Sequence, residues 1–200
     1  MTQATPGPLA RFKGLFGAQD MTQGNPMRNL LQFSIPLLIG NLAQQLYSTA
    51  DSIIVGMFVG DNALAAVGAS GPVINLVLVL FMAVSTGAGI LVAQYFGAKD
   101  RAELSRQVGN AVLLILIVSL ITTAVGLLIA RPIMKLLGTP DTIYEMACQY
   151  LTIVFGGITA VASYNIVAGI LRGLGDSVTP LMYLLVATSM NIVLDYVFVA

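Results

Sequence analysis

Five apolar stretches, each long enough to cross a bilayer, constrain this chain more than any other feature. They run roughly over residues 30–55, 63–93, 108–130, 143–171 and 180–200. The hydrocarbon core of a membrane is crossed by about 20 apolar residues of helix. In lipid every backbone N–H and carbonyl must be satisfied within the protein, which leaves only helices or a closed barrel. A barrel would show short segments of alternating polarity, and the sequence has none. The expected fold class is therefore all-α, a polytopic transmembrane helical bundle of five spans. Composition agrees, with 57% hydrophobic and only 9% charged residues among 200, where a soluble domain carries roughly a quarter charged.

The same composition removes several classes of function. Net charge is zero, so no basic patch for nucleic acid is available. The chain has no His, which excludes a zinc hydrolase motif and a Ser–His–Asp triad. Cys148 is the single cysteine, so the chain holds no internal disulfide, no Cys-rich metal site and no Cys–His pair. Gly173 and Gly175 resemble part of a nucleotide loop, but they follow a membrane helix rather than a strand, and no P-loop lysine comes after them. The chain reads as a non-enzyme without a cofactor.

Residues 1–27 read as a polar cytoplasmic tail, with no signal-peptide core, and residues 28–200 as one transmembrane unit. Basic residues give the orientation. Arg11, Lys13, Arg28, Lys99, Arg101, Arg106 and Arg172 fall on one side of the expected spans, and only Arg131 and Lys135 on the other. The positive-inside rule then puts the N-terminus in the cytoplasm of a multi-pass cell-membrane protein. The stretch 97–107 (GAKDRAELSRQ) reads as a short solvated helical connector. The sequence stops at Ala200 within an apolar run, which reads as a chain clipped from a longer one.

Seven of the nine acidic residues lie in the tail, in connectors or at their edges; Asp51 and Asp195 are embedded in spans. A carboxylate there is costly unless it is hydrated, paired or protonated, and is a functional candidate by default. On span one, Asn41, Gln44, Ser48 and Asp51 are spaced three, four and three apart, which places them on one helical face, with Tyr47 at its border. On span five, Thr188, Asn191 and Asp195 form a similar stripe. Such stripes must face protein or water, and the two would suit the walls of one aqueous cavity. Read alone, Asp51 also fits an ordinary solvated acid at the outer interface. At ~1.5 Å per residue, Asp195 lies ~22 Å and Asp51 ~30 Å from the cytoplasmic ends of their spans, a mismatch left open by the sequence.

Other features are mainly architectural. Pro36 interrupts the hydrogen-bond ladder of span one and predicts a bend, static or hinged, near Gly40. Small residues recur four apart: Ala83 with Gly87, Ser85 with Gly89, Gly89 with Ala93, and Gly169 with Gly173. These let helices approach closely. Thr152, Gly156, Thr159 and Ser163 share a face of span four and are expected to pack. Asn165 fits either cavity lining or a bond to neighbouring backbone.

Several stretches carry a resemblance: IPLLIGNLAQQLYSTADSIIVG (residues 35–56), NALAAVGASGP (62–72), AQYFGAKD (93–100), LRGLGDSVTPLMY (171–183) and NIVLDYVFV (191–199). In this order and spacing the chain resembles the multidrug and toxic compound extrusion family, the MATE transporters. The resemblance implies twelve helices in two six-helix lobes. This chain would be the N-terminal lobe without its sixth helix, and would need that helix and a C-terminal lobe as partners. It implies export of organic cations or amphipathic compounds, driven by inward flow of protons or sodium ions. Asp51, Asn191 and Asp195 match the family's cation site, and Pro36 its bent first helix. Two carboxylates and an amide oxygen suit Na+, while a carboxylate pair that shares a proton suits H+. The alternatives are a lipid-linked glycan flippase of the same superfamily and a non-transport membrane scaffold subunit. No Arg or Lys lies inside an apolar stretch, which speaks against the flippase, and a scaffold needs no buried acid.

Overall fold

The structure is a computed structural model and describes residues 25–199. Of the expected tail, residues 1–24 lie outside the described residues, while Pro26 and Met27 already belong to the first helix. Five helices follow: α1 (Pro26–Phe58), α2 (Asp61–Gly97), α3 (Arg101–Leu136), α4 (Asp141–Gly173) and α5 (Val178–Val199). No strand occurs among the described residues, so the all-α class holds.

α1 to α4 run past the apolar stretches at both ends, because hydropathy marks only the lipid-facing middle. The ends are set by capping. The Asn25 side chain accepts from Met27 N at 3.0 Å, Asp100 from Glu103 N at 3.1 Å, and Asp176 from Val178 N and Thr179 N at 3.1 and 2.9 Å. Each satisfies N–H groups that a helix start leaves without partners. At the other end α2, α3 and α4 close alike, each on a residue in the left-handed region: Lys99 (φ 59°), Gly138 (φ 68°) and Gly175 (φ 84°). Paired backbone bonds accompany them, for α2 Lys99 N to Phe96 O and Asp100 N to Tyr95 O, both 3.1 Å. This is the Schellman closure of a helix C-terminus. The stretch 97–107 is thus not a separate connector: Gly97 ends α2, and Arg101 opens α3.

α2, α3 and α4 pack into a core built on Phe81, Ile115, Met134, Leu151, Ile158 and Ile166, each at most 2% exposed. The α2–α4 crossing is the tightest. A Cβ on Gly89 would lie 2.8 Å from the carbonyl oxygen of Gly169, and one on Gly169 would lie 2.6 Å from that of Ser85. The Ser85–Gly89 and Gly169–Gly173 pairs therefore face each other. Gly87 has nothing within 4 Å of its Cβ position and takes no part in a close crossing. In the Thr152 stripe, the Thr159 hydroxyl lies 3.4 Å from that of Thr123 on α3, whereas Gly156 also has open space around it.

α1 and α5 form a separate pair. A Cβ on Gly40, the only buried residue of α1, would meet Leu181 and Leu184 of α5 at 3.4 and 3.7 Å. Phe58 and Tyr196 meet edge to face at the far end, their centroids 6.5 Å apart. The two helices therefore run parallel. Four helices, α2 to α5, are long and apolar enough to cross a membrane. α1, at 33 residues, has the length but not the apolar character. Gln45, Thr49 and Ser52 add a second polar row beside the stripe of Asn41, Gln44, Ser48 and Asp51. A helix so polar is not expected to stand alone in lipid; it needs protein or water along that flank.

Candidate functional site

The site lies along the paired polar flanks of α1 and α5. Asp51 is ~38 Å along α1 from Pro26 and Asp195 ~26 Å along α5 from Val178, at ~1.5 Å per residue. The stagger of the pair absorbs the difference. Gly40, ~21 Å along α1, packs on Leu181 and Leu184, only ~5–9 Å along α5. The two acids thus come to one level. Their carboxylates interact electrostatically, and Asp51 is half-buried, as is Asp195.

Aromatic hydroxyls join them. Tyr47, one turn before Asp51, is within electrostatic reach of Asp51, Asp195 and Tyr150, and Tyr150 is within reach of Asp51. Tyr150 belongs to α4 and was not singled out in the sequence. The polar stripe there drew attention to Thr152, which lies ~200° around the helix from Tyr150. A single Tyr carries no periodic signal.

Asn191 and Asp195, one turn apart on α5, present the most telling feature. Asn191 Oδ1 and Asp195 Oδ2 are buried and have no hydrogen-bond partner among the described residues. Buried polar atoms are nearly always paired, so each exception calls for an explanation. Both atoms are acceptors, so what they lack is a hydrogen-bond donor or a cation. The α1 serines do not supply one, because their hydroxyls donate to their own helix: Ser48 Oγ to Gln44 O at 3.1 Å, and Ser52 Oγ to Ser48 O at 2.9 Å. Two carboxylates and an amide oxygen make an all-oxygen set of the kind hard cations take. The residues present fit a small cation.

The remaining expected residues divide. Thr188 is half-buried one turn before Asn191, on the same face. Asn41, Gln44 and Ser48 extend the α1 stripe and are exposed along it. Asn165 does not join the acids through any described bond. Its amide donates to Val161 O of its own helix at 2.9 Å, and its backbone carbonyl accepts from Ser85 Oγ. Pro36 lies within α1, which runs unbroken from Pro26 to Phe58. It has no N–H to give to the carbonyl of Gln32.

An all-helical bundle with four helices long and apolar enough to cross a membrane, and a half-buried acid pair between α1 and α5, defines a multi-pass membrane protein. The family model MatE matches residues 36–197, and the chain belongs to that family, forming the N-terminal lobe of its fold. It is 32% identical over 183 residues to the probable multidrug resistance protein YpnP of Bacillus subtilis (strain 168), a match covering 92% of this chain and 41% of that protein. Among solved structures it is similar to a MOP superfamily transporter from Pyrococcus furiosus Vc1 (DSM3638), whose binding pocket is described as reversed in polarity, suggesting a different function. That likeness has a TM-score of 0.83 and 30% identity over 88% of this chain and 38% of the other. A MATE in the bent conformation matches with a TM-score of 0.81 and 30% identity, over 88% of this chain and 39% of that one. The chain spans about two fifths of the length of the curated relatives it matches.

Proposed function

We propose that this chain is the ion-coupling lobe of a secondary active efflux transporter. The transporter would export organic cations or other amphipathic compounds in exchange for protons or sodium ions. The observation that carries the reading is the orphaned pair, Asn191 Oδ1 and Asp195 Oδ2, beside a second acid, Asp51, at one level between α1 and α5. A cation entering from outside would relieve the repulsion between the acids and satisfy both acceptors. α1, weakened at Pro36, would then bend and narrow the cavity walled by the two polar stripes, expelling the exported compound; loss of the cation toward the cytoplasm would reset it. The ion biases the two states only by as much as its affinity differs between them.

Alternating access takes two bodies that rock about a shared site. The working transporter would therefore pair this lobe with a second one. The seven-to-two split of basic residues supports placing the N-terminus in the cytoplasm, in the cell membrane. The test is efflux by the complete transporter in vesicles under separate proton and sodium gradients. One gradient should drive efflux, and the Asp51→Asn, Asp195→Asn double variant should abolish it while remaining folded and inserted. Normal ion-driven efflux by that variant would sink the assignment.

A further inference from the structure

The turn between α2 and α3 departs from the pattern of the others. α3 and α4 both place glycine at the left-handed position that closes the helix, but α2 places Lys99 there, at φ 59°. A side chain in that region meets the backbone, so glycine would serve stability better. A strained residue of this kind is a reason to look for a role at the site it occupies.

What surrounds Lys99 supplies one. Lys99 helps to line a cavity of about 460 Å³ with Tyr95, Phe96, Asp100, Arg101 and Leu104. Lys99 and Arg101 are exposed, and neither has an ion-pair partner among the described residues. The neighbouring charges are otherwise engaged. The Asp100 carboxylate caps α3 through Glu103 N at 3.1 Å, and Glu103 pairs with Arg106 at 3.6 Å. Two cations without ion-pair partners thus flank a hollow whose other walls are aromatic and aliphatic apart from the single Asp100 carboxylate, which is held at the α3 cap. The hollow sits at the end of two helices of membrane-spanning length, just past the apolar stretches that end at residue 93 and begin again at residue 108, where a bilayer crossed by them would place its headgroups. Aromatic rings suit that interface, and basic residues there attract anionic lipid.

We infer that the α2–α3 turn binds the phosphate of an anionic membrane lipid, with Lys99 and Arg101 on the phosphate and Tyr95, Phe96 and Leu104 against the upper acyl chain. The inference is independent of the ion site and of what the transporter carries.

The chain has no Trp, so Phe96→Trp provides a single fluorescent reporter in the full chain reconstituted into vesicles. Brominated phosphatidylglycerol should quench it at much lower mole fraction than brominated phosphatidylcholine. In the same background, Lys99→Gly relieves the left-handed strain, so folding is not put at risk. Each of Lys99→Gly and Arg101→Gln should weaken the preference for phosphatidylglycerol by about fivefold, and the pair by about thirtyfold. Lys99→Gly should at the same time raise the midpoint of thermal unfolding. Arg106→Gln, whose charge is already paired, should leave the preference unchanged. Equal quenching by the two lipids, or a preference that survives in the double variant, would overturn the inference. Displacement of the lipid by millimolar inorganic phosphate would do the same, marking a site for a soluble anion instead.

Discussion

Gly169→Ala tests the packing that holds the bundle together. Its Cβ would lie 2.6 Å from the Ser85 carbonyl oxygen and fall on the Ser85 hydroxyl, where ordinary contact begins only at 3.4 Å. α2 and α4 must therefore part by about 0.8 Å along this line, since the obstacle is backbone and cannot rotate away. Overpacking of a well-filled contact costs roughly 1–3 kcal/mol. Ser85 is 0% exposed, and its hydroxyl donates to Asn165 O. Disturbing that bond adds about 0.5–1.5 kcal/mol. The expected destabilisation is then roughly 1.5–4.5 kcal/mol. Gly87→Ala, with open space around its Cβ, should be neutral or gain up to ~1 kcal/mol from helix propensity. Reversible unfolding in mixed micelles, followed by circular dichroism, measures both. Equal stabilities of the two variants would refute the close α2–α4 approach.

Three further outcomes are expected. Cysteine introduced at position 135 should react with an impermeant thiol reagent added outside, and cysteine at position 101 should not; the reverse pattern would invert the topology. Pro36→Ala should leave cation binding intact yet slow transport several-fold, and wild-type rates would remove the hinge role of this residue. The 200-residue chain alone, reconstituted in vesicles, should not sustain gradient-driven efflux, and robust efflux would show that one lobe suffices.

The acids of the candidate site were legible in the sequence because lipid makes charge expensive. Asp51 and Asp195 stood out inside apolar stretches, and helical spacing tied Asn191 to Asp195. Their common level was not legible, since it depends on the stagger fixed where Gly40 meets Leu181 and Leu184. Tyr150 stayed hidden because a single residue makes no period. Spacing also marked Ala83–Gly87 and Ser85–Gly89 alike as close-packing pairs. Only the crossing itself shows that Gly89 meets Gly169 while Gly87 meets nothing. Helix ends escaped for a related reason: they follow caps such as Asp100, which hydropathy does not register. The strain at Lys99 is a backbone property and leaves no trace in composition.

Cation binding to the purified chain tests the central claim most directly. Calorimetric titration with sodium, and in parallel a proton titration followed by the infrared carboxyl band, would be run on the wild type and on Asp51→Asn, Asn191→Ala and Asp195→Asn. If the orphaned acceptors of α5 and the acid of α1 form one site, the wild type binds a cation by one of these routes. Each substitution then weakens that binding at least tenfold, with helicity unchanged. Unaltered cation binding in the Asp195→Asn variant would contradict the account.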